Sequence, residues 1–148
     1  IMKNLTWLIA LMAMAFFACS SEPASIVTGK EFIQNRSAVA DTASIFHSSD
    51  PFVMQLRYGK AFDFAKVKWE IVDANGTVVS SKTSAVNNKQ DSYTVIVSSV
   101  RHGGIASAAE IFRAKEGTFT IRFTNADAGT PILEKQVQVV LNSQKIGE

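Results

Sequence analysis

The sequence predicts an all-β protein that folds as an antiparallel β-sandwich of about seven short strands. The first observation is that apolar and polar residues alternate over several short segments, as in strands with one buried and one solvated face. The second is that clusters of turn-forming residues separate these segments. The third is size, because about 130 residues remain after the apolar residues 1–18, which is enough for one core and too few for two.

Several segments show the alternation of a strand. An early strand is expected within residues 26–34, and the others are expected at 52–58, 66–71, 77–81, 93–97, 119–124 and 133–141. The clearest segment is 66–71, in which Trp69 and two aliphatic residues alternate with two lysines and a glutamate. A shift of one residue would bury those charges, so we expect Trp69 to lie in the core between the sheets.

Turn residues join the predicted strands. Asp73-Ala74-Asn75-Gly76 contains residues that tolerate positive φ, and it predicts a hairpin with the strand that begins at Thr77. A polar turn at residues 125–130 leads to the last strand. Pro131 stands at the start of that strand, where a proline is tolerated.

One segment has the spacing of a helix instead, just before the penultimate strand. The apolar residues around Phe112 recur at helical intervals. Ser107 and Glu110 form a capping box, in which each side chain accepts a hydrogen bond from a free backbone N–H. We expect the helix to end before Gly117, because glycine readily takes the left-handed conformation that ends helices. We therefore predict a short helix over residues 107–115, with Phe112 packed on the edge of the core.

The order of these elements resembles that of immunoglobulin-like domains. In that family a short helical crossover precedes the penultimate strand and is followed by Gly-x-aromatic, as in Gly117-Thr118-Phe119. The resemblance covers residues 26–141 and implies a two-sheet sandwich with Trp69 as a core tryptophan. The sequence lacks the cysteine pair of antibody domains, and Phe119 has no hydroxyl for a tyrosine corner. A small barrel of the lipocalin type is the alternative fold.

Residues 1–18 form a separate apolar segment. Lys3 supplies a positive charge, and residues 5–18 form an apolar stretch that ends in the small residue Ala18. This stretch is shorter than the roughly 20 apolar residues that a membrane-spanning helix needs. We therefore expect a signal peptide that is cleaved after Ala18.

Phe16-Phe17-Ala18-Cys19 resembles the lipobox of bacterial lipoproteins, in which a small residue precedes a cysteine. The resemblance implies that the Cys19 thiol carries a lipid that anchors the protein in the membrane. It also divides the chain into a signal peptide (1–18), a tether (19–25) and a β-sandwich domain (26–148). Ser20 stands where an Asp tends to hold such proteins at the inner membrane, so the outer membrane of the bacterial cell envelope is the expected location. The alternative is an ordinary secretory signal followed by a buried cysteine.

Charge and cysteine content exclude several classes of function. Lysine and arginine number 15 against 13 aspartate and glutamate, with no basic or acidic block, so we expect no nucleic-acid partner. Cys19 is the only cysteine, which excludes an intrachain disulfide and a cysteine metal cluster. The two histidines lack the spacing of metal ligands, and we predict neither a metal site nor a cofactor.

Two short segments carry polar groups that a site could use. Residues 46–50 contain hydroxyls, the imidazole of His47 and the carboxylate of Asp50, but neighbours along a chain do not make a catalytic triad. We expect a solvated turn in which Asp50 caps the following strand. His102-Gly103-Gly104 could offer backbone N–H groups to an anion, although a tight turn is the favoured interpretation.

The sequence therefore favours a lipid-anchored, non-catalytic envelope protein whose sandwich binds a macromolecular partner or supports an envelope assembly. A small-ligand binding protein with an apolar pocket is the second hypothesis, and it requires a cavity of several hundred Å³. An enzyme is the third, since no motif indicates a reaction.

Overall fold

The computed structural model describes residues 22–141, which form two β-sheets packed around one core. Sheet A has the spatial order β2-β1-β4-β7, and sheet B has the order β3-β9-β8-β5-β6. The elements are β1 (Ser25–Ile33), a 3-10 turn (Gln34–Arg36), β2 (Ala38–Thr42), β3 (Ile45–His47), β4 (Val53–Arg57), β5 (Lys66–Val72), β6 (Val78–Ala85), β7 (Ser92–Ile96), α1 (Ala108–Ile111), β8 (Gly117–Asn125) and β9 (Thr130–Val140). The predicted all-β sandwich is confirmed. The described residues form two open sheets and not the lipocalin-type barrel that was the alternative. The predicted signal peptide and Cys19 lie outside the described residues.

Residues 22–141 contain nine strands, two more than the sequence indicated. The additional strands, β2 and β3, are short, and each buries a single side chain, Val39 and Phe46 respectively. Such short segments do not show a clear alternation of apolar and polar residues. The pairing of β3 with β9 is also parallel, so sheet B is mixed rather than purely antiparallel.

The strand order is comparable with that of the immunoglobulin-like domains that the sequence resembles. In that fold strands A, B and E lie together in one sheet, while G, F and C form the other and C′ extends it. In sheet A the order β1-β4-β7 corresponds to strands A, B and E. In sheet B the order β9-β8-β5-β6 corresponds to strands G, F, C and C′. In this comparison β5, which contains Trp69, corresponds to strand C, the strand that carries the core tryptophan of antibody domains.

The core is built from the inward faces of both sheets and from α1. Trp69 is 4% exposed, and its aliphatic neighbours on the same face of β5 are fully buried, so the predicted face of this strand is confirmed. Phe112 is also fully buried. Its ring centroid lies 4.9 Å from that of Phe52 and 4.8 Å from that of Phe119. Phe112 thus packs between Phe52, which directly precedes β4, and Phe119 of β8.

The helix begins as predicted and ends earlier. Ser107 and Glu110 form the predicted capping box, but α1 has only four residues. Arg113 and Ala114 follow it with φ of 58° and 56°, and the Ala114 N–H donates to the carbonyl of Ala109 at 2.7 Å. The chain therefore leaves the helix through two left-handed residues, neither of which is glycine. The predicted stop at Gly117 is wrong, because Gly117 is the first residue of β8.

The predicted hairpin between β5 and β6 is present. Asp73 Oδ1 accepts hydrogen bonds from the N–H groups of Asn75 and Thr77, each at 2.9 Å. Gly76 has φ of 82°, which glycine adopts without strain. The second strand of the hairpin continues to Ala85, beyond the predicted end at residue 81.

The two ends of the sandwich carry different connections. At the tether end Ser25 of β1 pairs with Arg57 of β4, and Arg57 pairs with Ser92 of β7. The β4–β5, β6–β7 and β8–β9 connections belong to this end. At the helix end lie α1, the β5–β6 turn and the loop between β7 and α1, and Lys115 pairs there with Asp73 at 3.8 Å.

Candidate functional site

Cys19 lies outside the described residues, but Glu22 shows where the chain reaches the domain. Its backbone carbonyl lies against Gly59 in the β4–β5 connection, so closely that no side chain would fit at that position. Gly59 has φ of 84°, a conformation that favours glycine. Glu22 and Pro23 therefore pack on the tether end of the sandwich. The first strand begins at Ser25, one residue before the predicted domain boundary.

The segment around His47 forms a turn, as predicted, but Asp50 caps the end of the preceding strand β3 and not the strand that follows. Asp50 Oδ2 accepts a hydrogen bond from the His47 backbone N–H at 2.7 Å and pairs with Lys30 Nζ at 3.3 Å. The Asp50 carbonyl accepts from the N–H of Ala108, the first residue of α1, at 2.8 Å. The His47 side chain is exposed. This segment therefore holds the start of the helix.

The segment His102-Gly103-Gly104 is a tight turn. Gly103 has φ of 74°, and its N–H donates to the carbonyl of Ser99 at 3.1 Å. The N–H of Gly104 donates to His102 Nδ1 at 3.2 Å. Both glycine N–H groups are used within the turn, so the arrangement favours the turn interpretation over an anion site.

A hydrogen-bonded brace fixes the loop between β7 and α1. The Ser99 hydroxyl, in a residue that is 5% exposed, donates to Glu110 Oε1 at 2.8 Å. It also accepts from the backbone N–H groups of Arg101 at 3.1 Å and His102 at 3.4 Å. Hydrogen bonds from the Ser107 N–H and the Ser99 hydroxyl lower the pKa of Glu110, which remains charged at neutral pH. Ser99 and Glu110 thus connect the start of the loop to the helix that follows it.

The sequence revealed only half of this brace. Glu110 was identifiable as a helix-capping residue because its partner Ser107 lies three positions away, the spacing of a capping box. Ser99 approaches Glu110 only because residues 98 and 105 pair as an isolated bridge and fold the loop back on itself. No local pattern marks that pairing.

This loop borders an open concavity of about 370 Å³ at the helix end, which we call the helix-end groove. Its buried and half-buried lining includes Val97, Ala106 and Ile111. Its exposed lining includes Val100, Arg101 and Arg113. Val100 is 96% exposed, the largest exposed fraction among the large hydrophobic residues of the described chain.

Positive charge predominates at the groove. The Arg101 side chain is exposed, and Arg113 Nε donates to the carbonyl of Val79 at 3.2 Å while its residue stays exposed. The acid that lines the groove, Glu110, has both carboxylate oxygens in hydrogen bonds to the loop and the helix cap. The groove therefore combines an apolar surface with two guanidinium groups.

A larger concavity of about 840 Å³ lies on the outer face of sheet B, and its lining is charged. Arg122 Nε contacts Glu134 Oε1 at 2.6 Å, and this carboxylate raises the pKa of Arg122. Lys68 pairs with Glu70 at 3.6 Å. These ions neutralise one another. The lining is not the apolar one that the small-ligand hypothesis requires.

No protein-family model matches the chain, and no curated protein matches it significantly. Within residues 22–141, no helix has the length and apolar composition needed to cross a membrane. In the same range no group of three or more histidine, cysteine, aspartate or glutamate residues is arranged to hold a metal ion. The features that indicate a function are therefore the groove, the chain direction and the sequence before Glu22.

Proposed function

We propose that this chain is a lipid-anchored, non-catalytic protein of the bacterial cell envelope whose β-sandwich binds a macromolecular partner. The anchor is the lipid on Cys19, and the outer membrane is the proposed location. The binding surface is the helix-end groove. The lipobox-like sequence supports the lipid anchor, and the exposure of Val100 supports the binding of a partner at the groove.

The direction of the chain supports this division of roles. Cys19 precedes Glu22 by three residues, and three residues span at most about 11 Å. A lipid on Cys19 would therefore hold the tether end of the sandwich close to the membrane surface. Strand β5, with seven residues, separates the two ends by about 23 Å. The helix-end groove would then point away from the lipid and towards a partner.

The main support for the partner-binding role is the exposure of Val100 beside the groove. Single exposed aliphatic residues are ordinary on protein surfaces, but Val100 stands beside a groove with an apolar lining. The brace from Ser99 also holds the backbone N–H groups of the two residues that follow it. A side chain on a fixed loop loses little conformational freedom on binding, which favours affinity. Val100 therefore offers a protein partner apolar area that is buried on binding.

Site-specific photocrosslinking in the native envelope tests this proposal. A photoreactive amino acid is placed at position 100 in one variant and at position 45 in another. Ile45 is the matched control, since it is 57% exposed and lies on β3, away from the groove. We expect a discrete crosslinked product from position 100 and none from position 45. No product from either position, or equal products from both, would contradict the assignment of the groove as the binding surface.

A further inference from the structure

The charges at the helix-end groove indicate what the partner presents there. Arg101 and Arg113 both line it with exposed side chains. The carboxylate that could neutralise them belongs to Glu110, which accepts hydrogen bonds from Ser99 and from the Ser107 N–H. The lining therefore contains two arginines against one glutamate, and a ligand at this position meets a net positive charge. Guanidinium groups pair with carboxylates in a planar, two-bond geometry.

The apolar lining narrows the chemistry of the partner further. Val97, Ala106 and Ile111 are aliphatic, and no aromatic residue is among the described residues that line the groove. Sugar rings are commonly bound on exposed aromatic faces, and this surface has none among those residues. An aliphatic side chain from a polypeptide fits such a lining because it buries apolar area against Val97 and Val100.

We infer that the groove binds a polypeptide segment in which a carboxylate side chain lies beside an aliphatic one. This inference rests on the proposed function and specifies the partner of the same site. The aliphatic side chain packs against Val97 and Val100, and the carboxylate pairs with Arg101. The volume of about 370 Å³ accommodates a short segment rather than a folded surface.

Selection from a random linear peptide library, with the full mature lipoprotein in nanodiscs as the target, tests the inference. The Val100→Asp variant serves for counter-selection, since position 100 is almost fully exposed and its substitution leaves the core intact. We expect enriched peptides to contain Asp or Glu next to Leu, Ile or Val. Enrichment of basic, aromatic or purely apolar peptides would overturn the inference.

Affinity measurements on one enriched peptide separate the contribution of charge. Arg101→Glu should weaken binding about three- to tenfold, as expected for the reversal of one exposed ion pair. Lys89→Glu makes the same type of charge change in the β6–β7 connection at the tether end, and it should leave the affinity unchanged. Equal effects of the two variants would mean that the peptide responds to net charge and not to the groove, which would overturn the inference.

Failure of this inference and failure of the proposed function are distinguishable. If no peptide is enriched on the wild-type protein over Val100→Asp, the inference is wrong. The crosslink at position 100 then decides whether a partner of other chemistry uses the groove. If that crosslink forms while the selected peptides lack acidic residues, the proposed function stands and the acidic partner does not.

Discussion

Trp69 shows how much one side chain contributes to this fold. Its ring lies between the sheets, and the indole N–H has no hydrogen-bond partner among the described residues. The ring therefore stabilises the protein through packing, while the unpaired N–H costs free energy. Trp69 thus acts as a structural residue, in agreement with its position in the alternation of β5.

Replacing Trp69 tests this assignment. Trp69→Ala should lower the free energy of unfolding by about 3–5 kcal/mol, the usual cost of removing a buried aromatic side chain. Trp69→Phe should cost less, because it keeps most of the ring packing and removes the unpaired N–H. Lys68→Ala, on the outer face of the same strand, should hardly change the urea midpoint. Loss of partner binding by Trp69→Ala without loss of stability would contradict a core position.

Lys135 lies on the inward face of β9 and has an unusual environment for a lysine. Its Nζ donates to the carbonyl of Ile26 at 3.4 Å, and no ion pair with it occurs within the described part of the chain. Burial lowers the pKa of this amine from its ordinary value of 10.5. The charged form is therefore less favourable in the folded state than in the unfolded state.

This shift predicts the pH dependence of stability. As the pH rises, the folded state loses the Lys135 proton before the unfolded state does, so stability increases from the folded pKa towards 10.5. Lys135→Met should abolish this increase and stabilise the protein at neutral pH. Urea unfolding between pH 7 and pH 10 measures both effects, with Lys66→Met on the outer face as the control. If the stability of Lys135→Met still increased with pH, another titrating group would be responsible for the increase.

The loop between β7 and α1 depends on side-chain hydrogen bonds more than on regular secondary structure. Ser99 serves both Glu110 and two backbone N–H groups with one hydroxyl. Removal of that hydroxyl deprives the Glu110 carboxylate and both backbone N–H groups of a hydrogen bond. The loss occurs in a region whose helix has only four residues. The geometry at Val100 should therefore depend on Ser99.

Ser99→Ala tests the brace. We expect faster amide hydrogen exchange at Arg101 and His102 and a loss of stability of about 1 kcal/mol, typical of one hydrogen bond. Exchange in the strands of sheet B should not change, since the substitution lies outside them. Ser98→Ala, at the exposed neighbouring position, is the control. Unchanged exchange at Arg101 in Ser99→Ala would show that the loop is held by other contacts.

At the scale of elements, local signals predicted the strands with clear alternation and the start of α1. They failed at β2 and β3, where one buried residue in each strand gives no periodicity. They also failed at the end of α1, because Arg113 and Ala114 take the left-handed conformation that glycine usually marks. In both cases contacts with distant parts of the chain outweigh local preference.

At the scale of the whole molecule, the proposed anchor and the domain should be independent. The described residues begin at Glu22, and the core is formed by residues from Ile26 onward. Cys19→Ser should therefore yield a soluble protein with the same thermal unfolding midpoint as the lipidated form. Mass spectrometry of the native protein should show acyl mass on a peptide that begins at Cys19. An unmodified amino terminus at another residue would contradict the lipoprotein assignment, and aggregation of Cys19→Ser would contradict the independence of the domain.

The sequence by itself determined the all-β class, the inward face of β5 and the capping box at Ser107. Each of these depends on residues within a few positions of one another, so periodicity and spacing reveal them. Only the tertiary structure decided that β3 pairs in parallel with β9, that Ser99 braces Glu110, and that Val100 stands exposed beside two arginines. These features arise where segments that are not adjacent along the chain meet, and the physical reason is that their contacts depend on the path of the chain rather than on local residue preference.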